Sequence, residues 1–598
     1  MLVQFDELSN GSWGPSPSPD GSRIAYVSDI GGSPQAYVTG PSLPPGVGGP
    51  SPWAGTLLPT GKDPVTAVHY SPDGEWIACE IAPGGAPRTE LWLIRPDGTG
   101  LRQAGGFGAT TILSAGWVEV RGSVQFAVTE IGELWRGLLV NPRSMARQRL
   151  TRGELVAVLD VSRDGAFAAV REGPRGRRRV RVVDLDSGVA GPLFEGTYDS
   201  STEQAVFSPD GAWVYARTDY DSEFSRLIAV PVTGDHPVPG AEPVVVAERA
   251  DAELEHVAVS RETGLLALLW NASGRSELTL FDPVTRIERW VTPPAGDVLS
   301  DPEFSRDGRT LVVCAEGPGA RRSLYRVNVA TAHTSPVVPR PSWSLVGAPE
   351  LHHLVSGDGL ALTGWFYRPA GDPPYRTMIS LHPGPESQER PGHNPIYQQL
   401  AARDIAVFAP NVRGSSGYGR TFVNLDNLAG RHGAIADVAA CAAYLDDAGL
   451  CSSLGVMGRS YGGYLTLAAL VTHPDLFAVG VEVCGMADLL TFYEHTEPWI
   501  AAGAVSKYGD PVRDRGLLMD LSPLRRIENL ATPLLIVHGA SDTNVPVREA
   551  HQLVAALVRL GKPHRYVILD GEGHDFVGID SRRRYLDEAV AWITDHLT

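Results

Sequence analysis

The chain has 598 residues, more than one hydrophobic core usually organises, so at least two domains are expected. Its hydrophobic fraction of 43% and charged fraction of 20% are those of a globular protein. A formal net charge of −18 disfavours nucleic acid or an anionic membrane surface as the main partner.

The first eight residues, Met-Leu-Val-Gln-Phe-Asp-Glu-Leu, lack the basic-then-apolar pattern of a secretory signal. No uninterrupted apolar stretch is long enough to cross a bilayer. Residues 1–335 read as all-β, with short Val/Ile/Leu/Tyr/Trp runs separated by Gly, Pro and Asp turns. The phrase Ser-Pro-Asp-Gly occurs at 18–21, 71–74 and 208–211, with weaker copies at 162–165, 260–264 and 305–308. From residue 162 the copies start 46, 52 and 45 residues apart. The wide gap between 71 and 162 leaves room for one degenerate unit near Trp117–Gly122. Asp-Gly closes hairpins because both residues tolerate a positive φ. Sheets repeating at this spacing stack face to face as propeller blades, and the count is seven. The competing reading is a β-sandwich with chance Asp-Gly turns. One basic run, Arg175 to Arg181, reads as a solvated hairpin turn.

A Pro-rich connector is expected over 336–349, and from 350 to 598 the pattern changes to alternating strand and helix. Apolar, β-branched runs at 378–381, 405–408, 454–457, 534–537 and 566–569 look like buried parallel strands. Helical periodicity covers 437–445 and 464–472. This is the pattern of a doubly wound α/β domain, the α/β-hydrolase fold.

Gly458-Arg-Ser460-Tyr-Gly462 follows one such strand and opens a helix. A strand–turn–helix around Gly-x-Ser-x-Gly is what a nucleophile elbow requires, so Ser460 is the candidate nucleophile. In this fold an acid and then a histidine follow in chain order, each on a loop after a strand. Asp542 and His574 stand at those places. His574 would act as base, and Asp542 would orient it. His538 sits on the strand side of its loop and reads as a packed histidine. His382 reads as structural, and Asp570 and Asp575 as shaping the His574 loop. The backbone N–H groups of Tyr461 and Gly384 are the expected oxyanion donors.

Four segments together resemble the prolyl oligopeptidase family of serine peptidases. They are Gly-Arg-Ser-Tyr-Gly-Gly-Tyr (458–464), Asn-Val-Arg-Gly-Ser-Ser-Gly-Tyr-Gly (411–419), His-Gly-Ala-Ser-Asp-Thr-Asn-Val-Pro (538–546) and Gly-His-Asp-Phe (573–576). The match resembles the acylaminoacyl-peptidase and aminopeptidase branch most. The resemblance implies a propeller that caps the site and admits short peptides or aminoacyl amides. It also implies that Asn544 binds a substrate carbonyl, and that the segment after Cys484 walls the primary pocket. Two departures stand out. His-Pro-Gly-Pro replaces the family's His-Gly-Gly-Pro at 382–385, retaining Gly384. Asn544 replaces the arginine common in acylaminoacyl peptidases, which tips the reading toward free amino termini.

Phe492, Trp499 and Tyr461 would form an apolar slot. Glu494 or Glu497 would pair with a free α-amino group. The expected activity is that of a serine exopeptidase. Alternatives are a dipeptidyl peptidase or esterase with the same triad, an amidase acting on an aminoacyl-nucleoside antibiotic such as puromycin, and a non-catalytic propeller binding protein. No metal cluster or phosphate-binding glycine loop is seen, so no cofactor is expected. A homo-oligomer is compatible with the sequence. Five scattered cysteines without C-x-x-C spacing point to the cytoplasm.

Overall fold

The computed structural model describes residues 8–40, 50–51, 55–196, 200–232, 242–337 and 347–598. Seven antiparallel sheets follow one another along the first part of the chain, one of five strands and six of four. They are the blades of a seven-bladed propeller. Each blade is built from consecutive strands, so the ring closes by side contacts between its first and last blades. Ser16 donates to Glu303 at 2.9 Å, and the Asp307 N–H donates to the Pro19 carbonyl at 3.1 Å.

Each copy of the recurring phrase is the turn between the first and second strands of a blade. In five of them the serine hydroxyl donates to the aspartate two residues on, at 2.5–2.7 Å. The same oxygen accepts the N–H five residues ahead. The glycines there have φ between 67° and 74°, which a Cβ would penalise. The degenerate third unit is also a blade. Its strands Thr111–Val120 and Ser123–Ile131 turn through Arg121 and Gly122, both at positive φ.

That long hairpin reaches across the ring. Glu119 pairs with Arg306 of the seventh blade at 3.0 Å, and these two blades are not neighbours. The bridge therefore spans a channel whose cavity measures about 520 Å³.

The basic run does form a hairpin, but only part of it is solvated. Arg178 pairs with Glu203 at 2.5 Å, and the Arg175 carbonyl accepts from Ser506 of the second domain at 3.3 Å. The expected connector lies mostly in residues outside those described.

The second domain is built on an eight-stranded sheet. Its order is Glu350–Val355, Ala361–Tyr367, Ile405–Asn411, Tyr375–Leu381, Cys451–Arg459, Val479–Val483, Leu534–Gly539 and His564–Leu569. Ala361–Tyr367 pairs antiparallel with both its neighbours, and the pairings from Ile405–Asn411 onward are all parallel. Neighbouring residues on a strand serve opposite faces. Ile379, Val456 and Ile536 pack with the helices Arg431–Asp447, Tyr461–Thr472 and Arg548–Leu560. Met378, Met457 and Leu535 pack with Pro395–Ala401 and Ile579–His596. The α/β-hydrolase architecture follows.

The domains are joined by charge-assisted contacts. Arg390 grips both oxygens of Glu255 at 2.9 Å, Gly419 donates to Glu253 at 2.7 Å, and Arg582 pairs with Asp29 at 2.5 Å. No helix among the described residues is long and apolar enough to cross a membrane.

Candidate active site

Ser460 stands between strand Cys451–Arg459 and helix Tyr461–Thr472, half-buried, at φ 54° and ψ −118°. That backbone conformation is strained for a residue with a side chain and persists only where the surroundings force it. The surroundings are glycines. A Cβ on Gly458 would lie 2.3 Å from the Gly462 carbonyl oxygen, and one on Gly462 would lie 2.0 Å from that of Leu381. The turn is thus pressed onto the neighbouring strand end, where Leu381 pairs in register with Gly458.

The same contact brings the His382–Gly384 loop beside the elbow. Gly384 has φ 132°, and a Cβ there would come within 3.0 Å of the Glu386 nitrogen. Tyr461 is the first residue of its helix, so its N–H has no partner within the helix. It also sits where the helix dipole favours negative charge.

Asp542 and His574 come from the loops after the next two strands of the sheet order beyond Val479–Val483. Glycines again allow the approach, because a Cβ on Gly539 would lie 2.1 Å from the Gly573 carbonyl oxygen. The His574 Nδ1–H donates to Asp542 Oδ2 at 2.7 Å. The other carboxylate oxygen accepts the N–H groups of Asn544 and Val545 at 2.9 and 3.0 Å. Burial opposes the charge on Asp542. Hydrogen bonds with His538 and His574 outweigh it and hold the carboxyl well below the usual range. With Nδ1 committed to Asp542, Nε2 is the nitrogen left for proton transfer. Among the described residues the Ser460 hydroxyl makes no hydrogen bond, to His574 or to any other group.

The competing histidines are packed ones. His538 is fully buried, and its Nε2 donates to the Val545 carbonyl at 2.8 Å while lying 3.4 Å from Asp542 Oδ2. His382 is buried against Ser415 at 2.8 Å. Asp575 pairs with Arg459 at 2.8 Å. Cys484, His538 and Asp542 have ligand-type atoms within 4.8 Å of one another. Both oxygens of Asp542 are already engaged, so this trio is not a free donor set.

The expected substrate-binding residues divide. Asn544 and His574 line one cavity of about 620 Å³ between the domains. Glu497 lies beside them, since its N–H donates to the Thr543 carbonyl at 3.3 Å and Thr496 donates to the Asn544 carbonyl at 2.7 Å. Glu494 is exposed. Phe492 and Tyr461 are buried and meet through Tyr508, each with ring centroids 6.4 Å from it. Trp499 is half-exposed and joins no ring contact among the described residues. Tyr508, buried between Tyr461 and Phe492, is an aromatic neighbour of both that no sequence motif marks.

Sequence reasoning also missed a buried charged group behind Tyr461, comprising Arg431, Asp426 and Lys507. No motif or periodicity marks them, because isolated charges in a sequence read as surface residues.

Residues 393–598 match the model of the prolyl oligopeptidase family. A dipeptidyl aminopeptidase BIII from Pseudoxanthomonas mexicana is 28% identical over 409 residues, covering 64% of this chain and 58% of that protein. The human acylamino-acid-releasing enzyme is 25% identical over 294 residues, 47% of this chain and 40% of that protein. The chain thus spans about half the length of the curated relatives it matches. Among solved structures, a puromycin hydrolase superposes over 100% of this chain and 96% of its own, with a TM-score of 0.81 at 20% identity. That likeness concerns the fold.

Proposed function

We propose that this protein, whose residues 393–598 match the model of the prolyl oligopeptidase family, is a serine exopeptidase. It hydrolyses the amide bond after the N-terminal amino acid of a short peptide or aminoacyl amide. Residues 350–598 supply the chemistry. Residues 1–335 restrict access, and 336–349 connect the two. Five unpaired cysteines are in keeping with work in the cytoplasm.

His574 takes the proton of Ser460 as the hydroxyl attacks the carbonyl. Asp542 holds the imidazole tautomer and stabilises the imidazolium. The Tyr461 and Gly384 N–H groups receive the developing oxyanion. His574 then returns the proton to the leaving amine, and water releases the acyl group by the same route. The Ser460–His574 hydrogen bond forms as substrate fills the site, as catalytic bonds commonly do.

One observation carries the reading. A serine in a conformation that only surrounding glycines permit stands at the same sheet edge as a histidine–carboxylate pair 2.7 Å long. Asn544 lines the cavity with His574, and the Glu497 N–H bonds the carbonyl of the adjacent Thr543, which favours a free amino terminus with its neighbouring carbonyl over a blocked one.

A panel of aminoacyl, acetyl-aminoacyl and Gly-Pro anilides, with an aminoacyl nucleoside alongside, tests the specificity. The aminoacyl anilide is expected to turn over fastest, and Ser460→Ala to abolish the turnover. Cleavage of the acetylated compound alone would reverse the preference for free amino termini. Faster cleavage of the Gly-Pro compound would make the protein a dipeptidyl peptidase.

A further inference from the structure

Two fully buried cations stand behind the candidate oxyanion hole, and the triad chemistry uses neither. We propose that Arg431 and Lys507 are positioning residues that hold the two oxyanion donors, the N–H groups of Tyr461 and Gly384, in a fixed relation. The proposal rests on Ser460 being the nucleophile.

Arg431 opens helix Arg431–Asp447 and has no exposed surface. Its guanidinium carbon lies 4.8 Å from the ring centroid of Tyr461 and 4.6 Å from that of Tyr508, within cation–π range of both. Its Nη1 bonds Asp426 Oδ2, and its Nη2 donates to the Lys507 carbonyl at 2.9 Å. Asp426 Oδ2 also accepts the Tyr461 hydroxyl at 3.0 Å. Tyr461 is therefore held at its ring by a cation and at its tip by a carboxylate. Its backbone N–H is the first donor. The pocket for Asp426 leaves no slack, since a Cβ on Gly414 would lie 2.2 Å from its carboxyl carbon.

Lys507 continues the path to the second donor. It is 2% exposed, and its Nζ bonds Glu386 Oε1 at 2.8 Å and the Val423 carbonyl at 2.9 Å. Glu386 lies two residues beyond Gly384, in the loop already too tight for a Cβ. The chain of contacts runs from Tyr461 through Asp426, Arg431, Lys507 and Glu386 to the Gly384 loop. Burying such charges costs more than apolar packing of the same volume, so a plain core would be the more stable way to fill this space. An oxyanion hole works only when its donors are preorganised, and a rigid charged brace supplies that.

The test uses the full-length protein and three variants, Tyr461→Phe, Lys507→Met and Arg431→Lys. Each is assayed with an aminoacyl anilide and titrated with the matching aminoacyl trifluoromethyl ketone, which becomes a tetrahedral oxyanion on Ser460. The matching aminoacyl alcohol, which forms no oxyanion, serves as the comparison ligand. The expected result is a kcat lower by about tenfold to hundredfold, below the ~100–1,000-fold of deleting a donor outright. KM and alcohol affinity should stay within about twofold, with ketone affinity falling in step with kcat/KM. Tyr461→Phe keeps the ring and removes only the hydroxyl, so it decides the matter if Arg431→Lys fails to fold. Folded variants with wild-type kcat and ketone affinity overturn the proposal. So does an equal loss of ketone and alcohol affinity, which would mean that the cations only shape the pocket. Failure of the wild type to cleave any anilide, or to react with a fluorophosphonate, would instead remove the catalytic reading beneath it.

Discussion

The propeller and the hydrolase domain use polar residues and glycines in opposite ways. In the propeller one device is repeated. Five blades close their first turn with the same serine–aspartate bond and the same positive-φ glycine. Each copy serves its own blade, and its loss leaves the others intact. In the hydrolase domain each such residue occurs once. Gly458, Gly462 and Gly539 each face a carbonyl oxygen within 2.0–2.3 Å of where a Cβ would sit. Arg431, Lys507 and Asp426 are each buried with a specific partner. Repetition makes a domain tolerant and easy to read, and single use makes a site intolerant.

Mutations can break or sharpen this contrast. The largest effect belongs to Ser460→Ala, which should lower anilide turnover by about 10⁴-fold or more, with thermal stability unchanged. Next comes Gly462→Ala. The added methyl collides with the Leu381 carbonyl, so a loss of about 3 kcal/mol or more is expected in thermal or urea unfolding, together with activity.

A third prediction concerns pH. Glu482 lies in the central strand Val479–Val483, and burial raises its carboxyl from 4.5 to about 7, with His538 only partly opposing the shift. The folded state therefore holds a proton that the unfolded chain releases, and stability declines as pH climbs from 4.5 towards about 7. Glu482→Gln stays neutral. Its unfolding free energy relative to the wild type, read from urea unfolding, should rise between pH 5 and pH 8 by an amount on the order of 1–3 kcal/mol. A pH-independent difference would contradict the assignment.

The smallest effect is expected in the propeller. Asp210→Ala removes two partly exposed turn bonds, from the Ser208 hydroxyl at 2.5 Å and the Ala212 N–H at 3.1 Å, and should cost about 1 kcal/mol with unchanged kcat. If it destabilised the protein as much as Gly462→Ala, the contrast between repeated and single-use devices would fail.

The same contrast explains what the sequence revealed. The blades were legible because Asp-Gly and its serine recur at a regular interval, and the degenerate third blade was found from the gap it left. The elbow was legible because glycine at 458 and 462 is a steric necessity. The acid and base follow from strand ends in chain order. Strands Glu350–Val355 and Ala361–Tyr367 were not read, since their mixed polar pattern matches neither buried parallel strands nor turn-bounded repeats. Strand Val479–Val483 was hidden by Glu482, a carboxylate in a fully buried run. The Arg431–Asp426–Lys507 group joins residues up to 81 positions apart through the two ends of one guanidinium, and nothing local announces it. Tyr508 was missed for the same reason. Aromatic residues at helical spacing read alike whether they pack a core or wall a pocket.

The measurement closest to the central claim is mass spectrometry of the protein, and of His574→Ala, after reaction with a fluorophosphonate. The account predicts one adduct, on the hydroxyl of Ser460, forming fast in the wild type and slowly without the imidazole of His574. An adduct on another residue, or no adduct from protein whose fold is intact, would contradict it.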